Sequence, residues 1–201
     1  MVEVLVLYYS SGGNTKSLAN LIARGIQSVD GVKARIRTVP LVSPVCEAIS
    51  PAIPDAGNPY VTLEDLVECD ALALGSPVRF GNMSSHLKYF LDSTSHEWLT
   101  GALSGKPACV FTSSGSIHGG QEACLLSMMI PLLHHGMLII GLPYTESKLM
   151  TTTTGGTPYG VSHYSGMKDD LPISADEKEL AIAQGVRIAT VTRKLHQSEH
   201  C

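Results

Sequence analysis

The sequence predicts an α/β domain: a doubly wound parallel sheet of five strands in the order 2-1-3-4-5, with helices on both faces. Short apolar runs recur along the 201 residues, and segments with apolar positions three and four apart lie between them. Most of these runs lack a polar face, the mark of strands buried on both sides. The second run does alternate, which puts it at an edge.

Residues 4–8 form the first strand. Leu18, Leu21, Ile22 and Ile26 give the first helix its apolar stripe, and Asn14 or Thr15 is positioned to cap it. In the second strand Val32, Ala34 and Ile36 alternate with Lys33, Arg35 and Arg37. Pro40, Pro44, Pro51, Pro54, Gly57 and Pro59 keep long elements out of residues 40–61. Thr62 and Asp65 have capping-box spacing and open a short helix that runs to Glu68. Residues 71–74 are the third strand, ended by Gly75, Ser76 and Pro77. Leu87, Phe90 and Leu91 mark the next helix, and residues 93–101 read as a polar loop around Trp98. Residues 108–111 are the fourth strand. Residues 123–133 are helical, with Pro131 expected to kink them, and residues 137–140 are the fifth strand. Residues 141–173 read as a second long loop. Ser174 and Glu177 make another capping box, opening a last helix through Leu180, Ala183, Ile188, Val191 and Leu195. No repeat or linker divides the chain, so residues 1–201 are expected to form one domain.

Charged residues make up 16% of the chain and the net charge is -4, with no basic run, which argues against a nucleic-acid partner. No apolar stretch approaches the roughly 18 residues of a membrane span. The opening residues read as a strand rather than a leader. The five cysteines are odd in number and form no C-x-x-C, as expected of reduced thiols in a cytoplasmic protein. The eight histidines are scattered without metal-ligand spacing.

In such a sheet, ligands bind beyond the carboxyl ends of the strands, where the strand order reverses. Three segments meet there. Ser10, Ser11, Gly12, Gly13, Asn14 and Thr15 follow strand one. Pro77, Val78, Arg79, Phe80, Gly81 and Asn82 follow strand three. Ser113, Ser114, Gly115, Ser116, Ile117 and His118 follow strand four. A helix start with glycines and hydroxyls suits an anion. The first segment has neither the lysine of a triphosphate-binding loop nor the glycine spacing of dinucleotide folds, so a flavin mononucleotide phosphate suits it better. An ordinary capped turn is the alternative reading of each segment alone.

Together these segments resemble the WrbA-type NAD(P)H:quinone oxidoreductases, flavin mononucleotide (FMN) enzymes of flavodoxin-like fold. The resemblance rests on Val-Leu-Val-Leu-Tyr-Tyr-Ser (4–10), Gly-Ser-Pro-Val-Arg-Phe-Gly-Asn-Met (75–83), Phe-Leu-Asp (90–92), Trp98, Gly-Ala-Leu (101–103), Gly-Gly-Gln-Glu (119–122), His-His-Gly-Met (134–137) and Gly-Gly-Thr-Pro-Tyr-Gly (155–160). It implies that residues 10–15 bind the FMN phosphate and that Val78, Arg79 and Phe80, with residues 113–118, contact the ring. It implies His134 near the flavin and Trp98 at the substrate site, where subunits of a homotetramer meet. It further implies a ping-pong reaction in which NADH or NADPH reduces the flavin and a quinone re-oxidises it. Arg79 is expected to stabilise negative charge on the reduced ring. His135 is expected to be structural. Two departures stand out: Gly12 lies where relatives often carry a bulky residue near the nicotinamide, and His118 interrupts a plainer glycine run. A flavodoxin-like electron carrier, or a regulatory module that binds another protein, are the rival readings.

Overall fold

The computed structural model describes residues 1–42 and 57–198. Three prolines of the first long loop (Pro44, Pro51, Pro54), together with Cys46 and Cys201, lie outside the described residues. In chain order the elements are β1 (Val2–Tyr8), α1 (Asn14–Gln27), β2 (Val32–Thr38), α2 (Leu63–Glu68), β3 (Ala71–Pro77), α3 (Ser85–Asp92) and α4 (Ser95–Leu99). They continue with β4 (Pro107–Ser114), α5 (Gln121–His134), β5 (Leu138–Ile139), α6 (Lys148–Thr151), β6 (Val161–Tyr164) and α7 (Ala175–Ser198). Every strand pair is parallel, and the order is β2-β1-β3-β4-β5, the predicted winding.

The unbroken apolar runs have a direct cause. Along β1, Val2, Val4, Val6 and Tyr8 face α1 and α7, while Leu5, Leu7 and the following Tyr9 face the opposite core, under α3 and α5. A strand covered on both faces cannot spare a polar position. At the edge, β2 is wet on one side: Arg35 pairs with Glu3, Asp65 and Glu68, and Arg37 with Asp65. On the α1–α7 face the two helices touch backbone to backbone. A Cβ on Gly185 would run into the Ile22 carbonyl oxygen, and one on Gly25 into that of Ile182.

Four expectations need correction. First, β3 and β4 run further than predicted, through residues 76–77 and 112–114, because each has a partner strand there. The Thr112 hydroxyl adds a cross-strand bond, donating to the Ser76 carbonyl at 2.8 Å. Second, residues 95–99 are helical rather than loop. Third, the fifth strand shrinks to two residues that pair only with Pro107 and Ala108. Fourth, the second long loop contains a strand, β6, which takes over that edge beside residues 111–114 of β4. The sequence hides β6 because the strand buries polar side chains. Ser162 accepts the Gly156 N–H at 2.9 Å, and the His163 Nδ1 lies 2.9 Å from Glu177 Oε2.

Candidate functional site

The segments after β1, β3 and β4 surround one cavity of about 310 Å³, in the range of small-ligand sites. Its first wall begins with an uncapped helix. Gly13, not Asn14 or Thr15, is the N-cap of α1; its φ is 93°, and no side chain caps the helix. The expected capping residues are turned elsewhere. Asn14 Nδ2 donates to Asp169 Oδ1 at 2.6 Å, and the Thr15 hydroxyl lies 2.9 Å from that of Ser113. Ser10 Oγ accepts the Gly13 N–H at 3.0 Å. Among the described residues nothing accepts from the backbone N–H groups of Asn14, Thr15 and Lys16. They are free donors at the positive end of a 14-residue helix.

The second wall is a tight turn. Arg79 and Asn82 exchange backbone hydrogen bonds of 2.8 and 3.0 Å around Phe80 and Gly81, whose φ angles are 52° and 75°. Two positive φ values in succession belong to the turn that normally takes Asn-Gly. A phenylalanine held there stores about 1–2 kcal/mol of backbone strain. Its ring is fully exposed at the lip of the cavity. Arg79 donates to Ser11 Oγ at 3.0 Å, tying the second segment to the first and bringing a cation to the helix start. Behind the turn, His86 stacks on Tyr9 with ring centroids 4.1 Å apart. Burial, aided by Arg79, lowers the pKa of His86 and favours its neutral form.

The third wall is held by its own bonds. Ser114 Oγ donates to the Ser116 carbonyl at 2.7 Å and accepts from Gln121 Nε2 at 2.8 Å. Of the residues singled out in sequence, Ser10, Ser11, Gly12, Asn14 and Thr15 border the cavity, as do Pro77, Val78, Arg79 and Phe80, and residues 113–116. Gly13, Gly81 and Asn82 shape the turns without lining it. Ile117 and His118 line a separate hollow beside Thr154 and Thr157.

His134 and Trp98 lie in a third depression, between α3, α4 and α5, and neither borders the cavity. They are neighbours, since Trp98 Nε1 donates to the His134 carbonyl at 2.9 Å. His135 Nε2 sits 2.9 Å from the Thr94 hydroxyl, and burial lowers its pKa. Gly119, in the glycine-rich loop after strand four, also lines the cavity, and sequence reasoning misses three further lining residues, Ser165, Met167 and Asp169. All three follow β6, so missing that strand means missing them. Ser165 anchors this strap through its N–H and hydroxyl, both donated to the Ser114 carbonyl at 2.9 and 3.1 Å.

The described residues hold no cluster of three metal-ligating side chains, and no described helix is long and apolar enough to cross a membrane. Sheet order and a switch-point cavity fed by an open helix start define the class, the flavodoxin-like α/β proteins. Residues 2–146 match the NADPH-dependent FMN reductase family, and the chain belongs to that family.

Solved structures agree on the fold. A flavodoxin, WrbA-like protein from Agrobacterium tumefaciens is 22% identical with a TM-score of 0.69, over 96% of this chain and 99% of that one. A flavodoxin from the domain Archaea is 21% identical with a TM-score of 0.62, over 96% and 99%. Oxidised flavodoxin 2 from Bacillus cereus is 17% identical with a TM-score of 0.57, over 94% and 99%.

Proposed function

We propose that the protein is an FMN-dependent oxidoreductase that uses NADH or NADPH to reduce quinones to hydroquinones. The observation that carries this reading is the unpartnered N-terminus of α1 opening into a cavity walled by three adjacent strand ends. Free N–H donors, the Ser10 and Ser11 hydroxyls and Arg79 fit a phosphate. The strained, exposed Phe80 and the floor of Pro77 and Val78 fit a planar ring. FMN held there would supply the redox chemistry, hydride and electron transfer between a nicotinamide and a quinone. The protein's residues bind and orient; none needs to act as a nucleophile.

The resemblance assigns His134 and Trp98 to the substrate site, yet both lie apart from the cavity of their own subunit. A homotetramer that brings them to a neighbour's cavity reconciles that assignment with their position. The apolar face beside them supports that assembly: Trp98 is 49% exposed, Leu99 75%, Ile130 58% and Leu133 58%. The free, buried thiols of Cys69, Cys109 and Cys124 suit a cytoplasmic setting.

One experiment tests the reading. The protein is loaded with FMN, its absorption spectrum recorded, and NADH or NADPH supplied with benzoquinone while its mass in solution is measured. A flavin spectrum with rapid turnover supports the enzyme. Bound flavin without turnover favours an electron carrier, and no bound flavin rejects both.

A further inference from the structure

The strap after β6 brings a carboxylate to the phosphate loop. Asp169 has a φ of 59°, a strained conformation for a residue with a side chain. The strap is braced on both sides of it: Asp169 N–H donates to the Gly166 carbonyl at 3.0 Å, and Leu171 N–H to that of Ser165 at 2.9 Å. This aims the carboxylate at the opening of α1. Oδ1 accepts from Asn14 Nδ2 at 2.6 Å, and a Cβ on Gly12 would collide with Oδ2. Asp169 therefore fills the space that a side chain at position 12 would take. Among the described residues no cation pairs with it, and Arg79 is committed to Ser11.

We propose that Asp169 is a charge gate on the phosphate loop: a phosphate-bearing flavin enters by displacing the Asp169 carboxylate from Gly12 and Asn14, so this residue sets how strongly FMN is preferred to phosphate-free riboflavin. The inference rests on the flavin reading above. A phosphate at the α1 donors and a carboxylate beside them are like charges in one small site, and each raises the cost of the other. Riboflavin brings no charge to that position and does not meet the gate. Gly12 belongs to the same device, because only glycine leaves room for the carboxylate.

The test is a titration of FMN and riboflavin into the protein and its D169N variant, followed by quenching of flavin fluorescence. Asparagine tolerates the left-handed backbone and keeps the shape without the charge. D169N should bind FMN about three- to fivefold more tightly, because Asp169 is exposed and water screens its charge, with riboflavin affinity changed less than about 1.5-fold. D169G, which relieves the backbone as well, should show the same pattern and carries the test if D169N does not fold. An FMN affinity that is unchanged or weaker, or a riboflavin affinity that shifts in step, overturns the gate and leaves the flavin reading intact. No binding of either flavin to the protein or its variants removes both.

Discussion

Helices α1 and α7 lie against each other, yet they begin in opposite ways. At α7, Ser174 and Glu177 exchange hydrogen bonds, 2.8 Å from the Ser174 N–H and 3.2 Å from the Glu177 N–H. Glu177 also accepts the backbone N–H groups of Gly155 and Tyr164 and bonds to His163. At α1 a left-handed glycine stands at the cap, and among the described residues nothing accepts from the first donors. Closing a helix start stabilises the fold; leaving it open forgoes that stabilisation and keeps an anion site. The difference separates a structural terminus from a binding one, though both carry hydroxyl residues in the sequence.

The largest expected effect comes from breaking the closed end. Glu177 is fully buried. Burial pushes its pKa up, but His163 and the N–H donors of Ser174 and Tyr164 outweigh this and hold it at about 2, against an ordinary 4.5. Removing its side chain strands several buried donors, so E177A should lose about 3–5 kcal/mol of stability in urea unfolding at neutral pH. The folded pKa is depressed, so the carboxylate's contribution is full above pH 4.5 and disappears as pH falls toward 2; it is worth about 3 kcal/mol. E177Q should flatten this acid loss, and parallel stability curves for the two proteins below pH 5 would count against the role given to Glu177.

Closing the open end is the complementary change. G13D places a carboxylate among the free α1 donors. The side chain strains a φ of 93°, at a cost of about 1–2 kcal/mol, but gains a cap worth about 1 kcal/mol. Stability should therefore move little while FMN affinity falls on the order of 100-fold, about 2.7 kcal/mol. Calorimetric titration beside a thermal melt separates the two. If stability collapses and affinity does not, Gly13 serves the backbone alone.

The contrast is half legible in the sequence. Both capping boxes are readable because they depend on residues three apart, Thr62 with Asp65 and Ser174 with Glu177. The strand order is readable because double burial leaves an apolar run. What escapes depends on contacts distant in sequence. Asn14 has the composition of a cap, but Asp169, 155 positions away, takes its amide. Ser113 reads as loop until β6 supplies a neighbouring strand, and β6 is hidden because it buries His163, whose Nδ1 bonds to Glu177. The separation of Trp98 and His134 from the cavity has no local signal at all.

A milder break of a closed end checks that the large effect at Glu177 reflects its buried network and not capping in general. At α2, Thr62 accepts the Asp65 N–H at 3.1 Å while Asp65 accepts that of Thr62 at 3.0 Å. T62A should cost about 1 kcal/mol in urea unfolding and leave flavin affinity unchanged. A loss as large as that of E177A would erase the distinction.

The smallest effect is expected at Arg79, the cation that reaches the open end. Arg79 reaches Ser11 across the cavity, but its side chain is exposed there, and water screens much of its charge. R79L should weaken FMN binding only a few-fold, by about 0.5–1 kcal/mol, and should make the remaining affinity less sensitive to salt, since a screened charge has been removed. Riboflavin affinity should not follow. A loss of about 100-fold on R79L would mean that the guanidinium, rather than the helix start, holds the phosphate. The comparison between the two helix termini would then explain less of the site than the turn carrying Phe80 does.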